Sequence, residues 1–166
     1  MAKTQAQRAL LLAIAIERHN AKKFREWSMR FSPYDIGLTL LLEELAKEEG
    51  DHELELADLY QKIFSVEIPA TIDVPDELSQ YDIGLEKIKQ HYFVVNPVMA
   101  HTLLEMALEI ESYTREYYSG LITNETNLEL VSMYNRLASF EADHEQLFNE
   151  RIEFEKNKVS KQLNSA

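Results

Sequence analysis

The chain has 166 residues, with 17 Lys+Arg against 29 Asp+Glu and a formal net charge of −12. Its length suits one domain over residues 1–166 with a sizeable core, and 45% apolar with 28% charged residues excludes a disordered chain. There is no cysteine, so disulfides, thiolate catalysis, iron–sulfur clusters and Cys-based zinc sites are excluded, and any metal has to be held by Glu, Asp and His.

The acidic balance argues against a nucleic-acid partner, because phosphate binding needs clustered Lys and Arg. Only four Gly and four Pro occur, too few for a turn-rich β fold, which points to an all-α chain. The first predicted helix covers roughly residues 3–30, with Leu10, Ala13, Ile14, Glu17, Ala21 and Phe24 on one face. Its apolar run Ala9–Ile16 is far too short for a membrane span and lacks a signal-peptide pattern, so the expected location is cytoplasmic, with no membrane partner.

The second helix is expected to start at Ser32-Pro33, an N-cap followed by a proline suited to the first helical position, with Asp35 completing a capping-box-like pattern. It runs to about Phe64 on Leu41, Leu42, Leu45, Glu49, His52, Leu56 and Leu59. A long connection follows over about residues 65–96, where Leu78, Tyr81, Leu85 and Ile88 suggest a short extra helix. The third long helix opens at Asn96-Pro97 and ends near Gly120. The fourth starts within Thr123–Thr126 and passes Phe154 on Leu130, Met133, Leu137, Glu141, His144 and Phe148. The polar tail from about residue 155 reads as frayed. Short loops inside each pair imply antiparallel hairpins. A helix of about thirty residues is about 45 Å long, so the long connection has to return the chain along a four-helix bundle.

The chain repeats itself. An offset of 94 lays Leu10 on Leu104, Ala13 on Ala107, Ile14 on Leu108, Glu17 on Glu111 and Phe24 on Tyr118. An offset of 92 lays Leu45-Ala46 on Leu137-Ala138, Glu49 on Glu141, and Asp51-His52-Glu53 on Asp143-His144-Glu145. Each repeat therefore holds one Glu in its first helix and a Glu-x-x-His in its second. Helical positions i and i+3 project about 60° apart, so Glu49 with His52, and Glu141 with His144, each address one point. Burying an unpaired carboxylate is costly, and four at the midpoints of apolar stripes require a compensating cation. Arg115 is the main basic residue on a stripe, whereas two divalent metals match the oxygen and imidazole donors.

Roughly one chance Glu-x-x-His is expected at this composition, so a single copy is weak and two repeat-matched copies are strong. Glu48, Glu53, Glu109 and Glu145 read as charged-face residues. Glu109 competes with Glu111 but points about 200° away from the stripe. His19, His91 and His101 have no partner at ligand spacing and read as solvent-facing. Gly50 and its repeat partner Ala142 suggest close helix approach beside the metals or a local helix irregularity.

The set Glu17, Glu49-x-x-His52, Glu111 and Glu141-x-x-His144 resembles the di-iron carboxylate site of the ferritin-like superfamily. Ala-x-x-x-Glu with an aromatic residue seven positions later is most similar to rubrerythrin-type domains. The resemblance spans nearly the whole chain and implies a ferritin-like bundle with two irons; the ligand types themselves leave manganese open as an alternative. It implies that Glu49 and Glu141 bridge the metals, that Glu17 and Glu111 are terminal carboxylates, and that His52 and His144 are terminal imidazoles. Tyr118 falls where rubrerythrins often carry a phenol. It reads as a hydrogen-bond donor to a ligand, an electron source or a packed core residue. Asp51 and Asp143 read as solvent-exposed rather than as imidazole-orienting acceptors.

Two departures stand out. Thr114 occupies the place of an extra family Glu, and the four-Cys tail that delivers electrons in typical rubrerythrins is absent. The implied function is a di-iron oxidoreductase using O₂ or H₂O₂, with an external electron-donor protein and assembly as a homodimer or larger homo-oligomer. The alternatives are iron storage or delivery without turnover, and a metal-free structural bundle.

Overall fold

The computed structural model describes residues 2–84 and 92–165. Among them are five helices and no strand: α1 (Gln5–Phe31), α2 (Ile36–Phe64), α3 (Asp76–Gly84), α4 (Pro97–Ile122) and α5 (Leu128–Asn164). The chain is all-helical, as its low Gly and Pro content implies. Leu78 and Tyr81 of the expected short helix are buried in α3, while Leu85, Ile88 and His91 lie outside the described residues.

Capping side chains set the helix starts. At α1, Thr4 accepts from the Gln7 N–H while the Gln7 side chain accepts from Thr4, a reciprocal capping box. The expected cap at Ser32-Pro33 is corrected. Ser32 keeps right-handed helical dihedrals as the C-cap that ends α1, with its N–H on the Met29 carbonyl. Pro33 has no N–H to continue the ladder, and Asp35, in extended conformation, caps α2 by accepting from the Leu38 N–H at 3.1 Å. Asn96 caps α4 as expected, accepting from the Met99 N–H at 2.9 Å. Asn127 caps α5, one residue past the expected window, and accepts from both Glu129 and Leu130.

The frayed tail is also corrected, because α5 continues to Asn164. Its later turns bury Ile152 and Glu155, and the Tyr34 hydroxyl donates to Glu155 at 2.8 Å. The turn between α1 and α2 thereby holds the end of α5.

The short turn makes α1 and α2 antiparallel, and Arg18 reaches Glu53 across them at 2.7 Å. Helices α4 and α5 pair likewise, with Arg115 on Glu145 at 2.6 Å. Arg115 is thus engaged away from the stripe carboxylates. The chain ahead of α4 is tied to the end of α1 by Val94 N–H to the Arg30 carbonyl, 2.9 Å. The other end of α4 is tied to the start of α1 by the Tyr117 hydroxyl on the Ala9 carbonyl, 2.8 Å.

Two apolar clusters fill the interior. One gathers Phe24, Trp27, Phe31, Leu38, Leu42, Leu104 and Phe148, with Leu78 and Tyr81 of α3. The other gathers Leu10, Ile14, Leu56, Tyr60, Tyr118, Leu130, Tyr134 and Leu137. Each buried Leu or Phe contributes roughly 1.5–3 kcal/mol, enough in sum to hold the helices in register around a polar belt that costs free energy to bury. The belt lies between the clusters and contains Glu17, Asn20, Glu49, His52, Glu111, Thr114, Glu141 and His144, all buried. No helix among the described residues is long and apolar enough to cross a membrane.

Candidate metal centre

All six side chains singled out by the doubled motif meet in this belt. Glu17 and Glu111 come from the midpoints of α1 and α4, and the Glu-x-x-His pairs come from α2 and α5. They form two overlapping groups, Glu17, Glu49, His52, Glu141 and Glu49, Glu111, Glu141, His144, each offering ligand atoms within 4.8 Å of one another. Glu49 and Glu141 belong to both groups. His52 turns Nδ1 to Glu17 at 3.7 Å. His144 turns Nδ1 to Glu49, Glu111 and Glu141 at 3.3, 3.6 and 3.7 Å.

These groups fit a cation. Nine oxygen and nitrogen atoms of the six side chains are buried without a hydrogen-bond partner. A structural polar network would pair such atoms with donors, and no Lys or Arg forms an ion pair with these carboxylates among the described residues. Oxygen and imidazole donors of this kind suit divalent metals.

Without a cation the belt has to take up protons. Burial pushes the Glu49 and Glu141 carboxyls well up, helped by neighbouring carboxylates, chiefly Glu141 for Glu49 and Glu111 for Glu141. Glu111 is pushed up to about 7, by burial and then the Glu49 charge. Glu17 goes the other way, because hydrogen bonds and the His52 charge outweigh burial. Burial lowers both imidazoles, but the facing carboxylates win and raise His52 and His144.

The Tyr118 hydroxyl donates to Glu17 Oε1, which settles its geometric role as a donor to a candidate ligand. Burial first, then the Glu17 charge, drives its pKa well up, so it stays protonated. Its repeat mate Phe24 packs on Trp27 and Phe148. Thr114 accepts from Asn20 Nδ2 at 3.0 Å and donates to the Ile110 carbonyl at 2.9 Å.

Several other expectations are corrected or completed. His19 is buried rather than solvent-facing, because α3 lies over α1: Asp82 pairs with Lys23 and stands 3.7 Å from His19 Nε2. His101 is partly buried beside Glu105 at 3.5 Å. Asp51 and Asp143 are exposed, as expected. Glu109 accepts from Tyr81 outside the belt, leaving Glu111 within it. A Cβ on Gly50 would meet nothing within 4 Å, so no close helix approach requires this glycine, and α2 runs through it without a break. It lines an outer groove of about 720 Å³ with Arg25, Met29, Lys47 and Leu54.

One residue of the site does not follow from the motif. Glu48 accepts from His144 Nε2 at 2.8 Å, on the side of the ring opposite the ligand cluster. The proton it holds on Nε2 leaves Nδ1 as the electron-pair donor of the neutral ring. The repeat offered a signal for it, since position 48 maps onto Phe140, whose ring lies 5.1 Å from that of His52.

No protein-family model matches the chain, nor does any curated protein. Among solved structures, a hypothetical protein from Pyrococcus furiosus is similar, with a TM-score of 0.72 and 20% identity over 95% of this chain and 94% of that one. The likeness extends along the whole fold and concerns the fold alone.

Proposed function

We propose that the chain is a ferritin-like, rubrerythrin-like domain whose belt holds two iron ions and oxidises Fe(II) with O₂ or H₂O₂. The observation that carries this reading is the pair of buried ligand groups sharing Glu49 and Glu141, with nine polar atoms that have no hydrogen-bond partner. The ties of α4 to both ends of α1 support a connection that crosses the bundle as in ferritin-like folds. Two Fe(II) ions held there would supply electrons as a pair, enough with two protons to take peroxide to two waters without a one-electron product.

The residues have separate tasks. Glu49 and Glu141, which belong to both ligand groups, would be shared by the two ions, Glu17 and Glu111 would serve one each, and His52 and His144 would supply one imidazole each. Tyr118 holds Glu17 in place, and the two apolar clusters limit access of bulk water to the belt. Repeated turnover would require a source of electrons, and we propose an external donor protein for it. Manganese suits the same donors, and elemental analysis of the purified protein distinguishes it from iron.

Iron storage or delivery without turnover is the second reading, favoured by the net charge of −12, which gathers cations. A large shell on size-exclusion chromatography supports storage, and a dimer supports small-molecule turnover. The deciding test is anaerobic Fe(II) titration of the metal-free protein, followed by stopped-flow mixing with O₂ and with H₂O₂. Saturation at two Fe(II) per chain and rapid oxidation are expected; absence of binding removes the proposal.

A further inference from the structure

Two repeat-matched contrasts distinguish the halves of the belt. The first lies behind the imidazoles. His144 Nε2 faces the Glu48 carboxylate at 2.8 Å, whereas at the equivalent place His52 meets the Phe140 ring, 5.1 Å between centroids. Among the described residues no carboxylate lies within ion-pair distance of His52 Nε2; its one such contact is Nδ1 to Glu17. The second contrast lies behind the terminal carboxylates. Glu17 Oε1 is engaged by the Tyr118 hydroxyl, whereas both Glu111 oxygens lack a hydrogen-bond partner and the repeat mate of Tyr118 is Phe24, which has no hydroxyl to offer.

Both contrasts act in one direction. A carboxylate behind an imidazole fixes its orientation and strengthens the opposite nitrogen as an electron-pair donor, commonly by about 10–100-fold in metal affinity. A phenol hydrogen on a carboxylate oxygen withdraws electron density from the group and leaves one oxygen for a cation. Glu48 favours the Glu111–His144 position, and Tyr118 weakens the Glu17–His52 position. Glu48 and Phe140 also both reach the surface, with the Glu48 side chain 41% and Phe140 37% exposed. The opposite seam between α1 and α4 is bridged by α3, through Asp82 to Lys23 and Tyr81 to Glu109.

Resting on the two-metal reading above, we propose that the two positions are graded. The position of Glu111 and His144 takes a divalent cation first and holds it, and that of Glu17 and His52 binds second and exchanges. Glu48 is the positioning residue that sets the difference.

The test is equilibrium titration of the metal-free protein with Co(II), read by bound metal and by the Co(II) visible absorption. Two steps are expected, the first at least about 10-fold tighter than the second. Glu17→Ala should keep the tight step, and Glu111→Ala should keep only the weak one. Glu48→Gln, at a half-exposed position where folding is not at stake, should weaken the first step about 10-fold, with Glu48→Asp restoring part of it. Phe140→Glu should tighten the second. Two indistinguishable steps in the unaltered protein, or loss of the tight step in Glu17→Ala, overturn the grading while leaving the metal centre intact. No Co(II) binding at all overturns the metal centre itself.

Discussion

Asn20 donates its side-chain amide to the Thr114 hydroxyl at 3.0 Å, and these two residues stand 94 positions apart, the offset that lays α1 on α4. The contact therefore joins two repeat-equivalent positions directly across α1 and α4. Both residues are fully buried. In place of the extra carboxylate that the family resemblance leads one to expect at Thr114, the chain has a neutral hydrogen bond that adds no charge to the belt.

Removing one side of this bond should cost more than removing both. Asn20→Leu leaves the hydroxyl lone pairs unpaired, and Thr114→Val leaves the amide donor unpaired, each by about 1–3 kcal/mol. The double variant replaces both by apolar groups, and the cycle should show a favourable coupling of about 1 kcal/mol or more. Urea unfolding of the four proteins checks this. Strict additivity would mean that the bond does not hold α1 to α4.

Tyr118→Phe deletes the hydroxyl donated to Glu17 and leaves Glu17 Oε1 buried alone. The metal-free protein should lose about 1–3 kcal/mol. In the metal-loaded protein the loss should be smaller, because the cation satisfies the same carboxylate. Urea midpoints with chelator and with bound Co(II) measure the two losses, and an equal loss in both would separate Tyr118 from the metal centre.

The buried Glu and His cluster was legible because it obeys helix periodicity: Glu49 with His52 and Glu141 with His144 fall on the stripes that bury Leu45 and Leu137. The same rule chose Glu111 over Glu109. Glu48 was not legible in this way. It stands off the apolar stripe and meets His144 only because α2 and α5 pack side by side, a relation between residues 96 apart. His19 is buried by α3, and Glu155 by the α1–α2 turn, which are again tertiary effects. At the start of α2 two local signals competed, and the Pro33 turn delayed the helix until Asp35 could cap it.

Glu141→Ala should abolish both cation sites, because Glu141 offers atoms to both ligand groups. Glu17→Ala should remove one, because Glu17 belongs to a single group. Bound metal per chain after equilibrium dialysis, about none against about one, tells them apart. Retention of one metal in Glu141→Ala would show that it does not bridge.

The metal-free protein should lose stability as pH rises, and bound metal should reverse that slope. Glu111 has its pKa raised from 4.5 to about 7, by burial and then by the Glu49 charge. Folding at Glu111 therefore takes up a proton between those values, so its contribution is fully present below about pH 4.5 and is lost as pH rises through 7. The loss is on the order of 3 kcal/mol for a fully buried group. Glu49 and Glu141, both shifted up, act in the same direction, as do His52 and His144 with their raised values; Glu17, shifted down from 4.5, has its contribution fully present above that pH and adds no slope over this range. Self-repulsion from the net charge of −12 adds to the slope, so the diagnostic quantity is the difference between the unaltered protein and Glu111→Gln, which carries no proton to lose. Urea unfolding in chelator at pH 5, 6 and 7.5 should give a shallower decline for Glu111→Gln. With Co(II) bound, the cation takes the place of the protons, metal binding strengthens as they leave, and stability should rise over the same range. Parallel pH profiles for the two metal-free proteins would show that Glu111 is not carrying a proton in the folded belt.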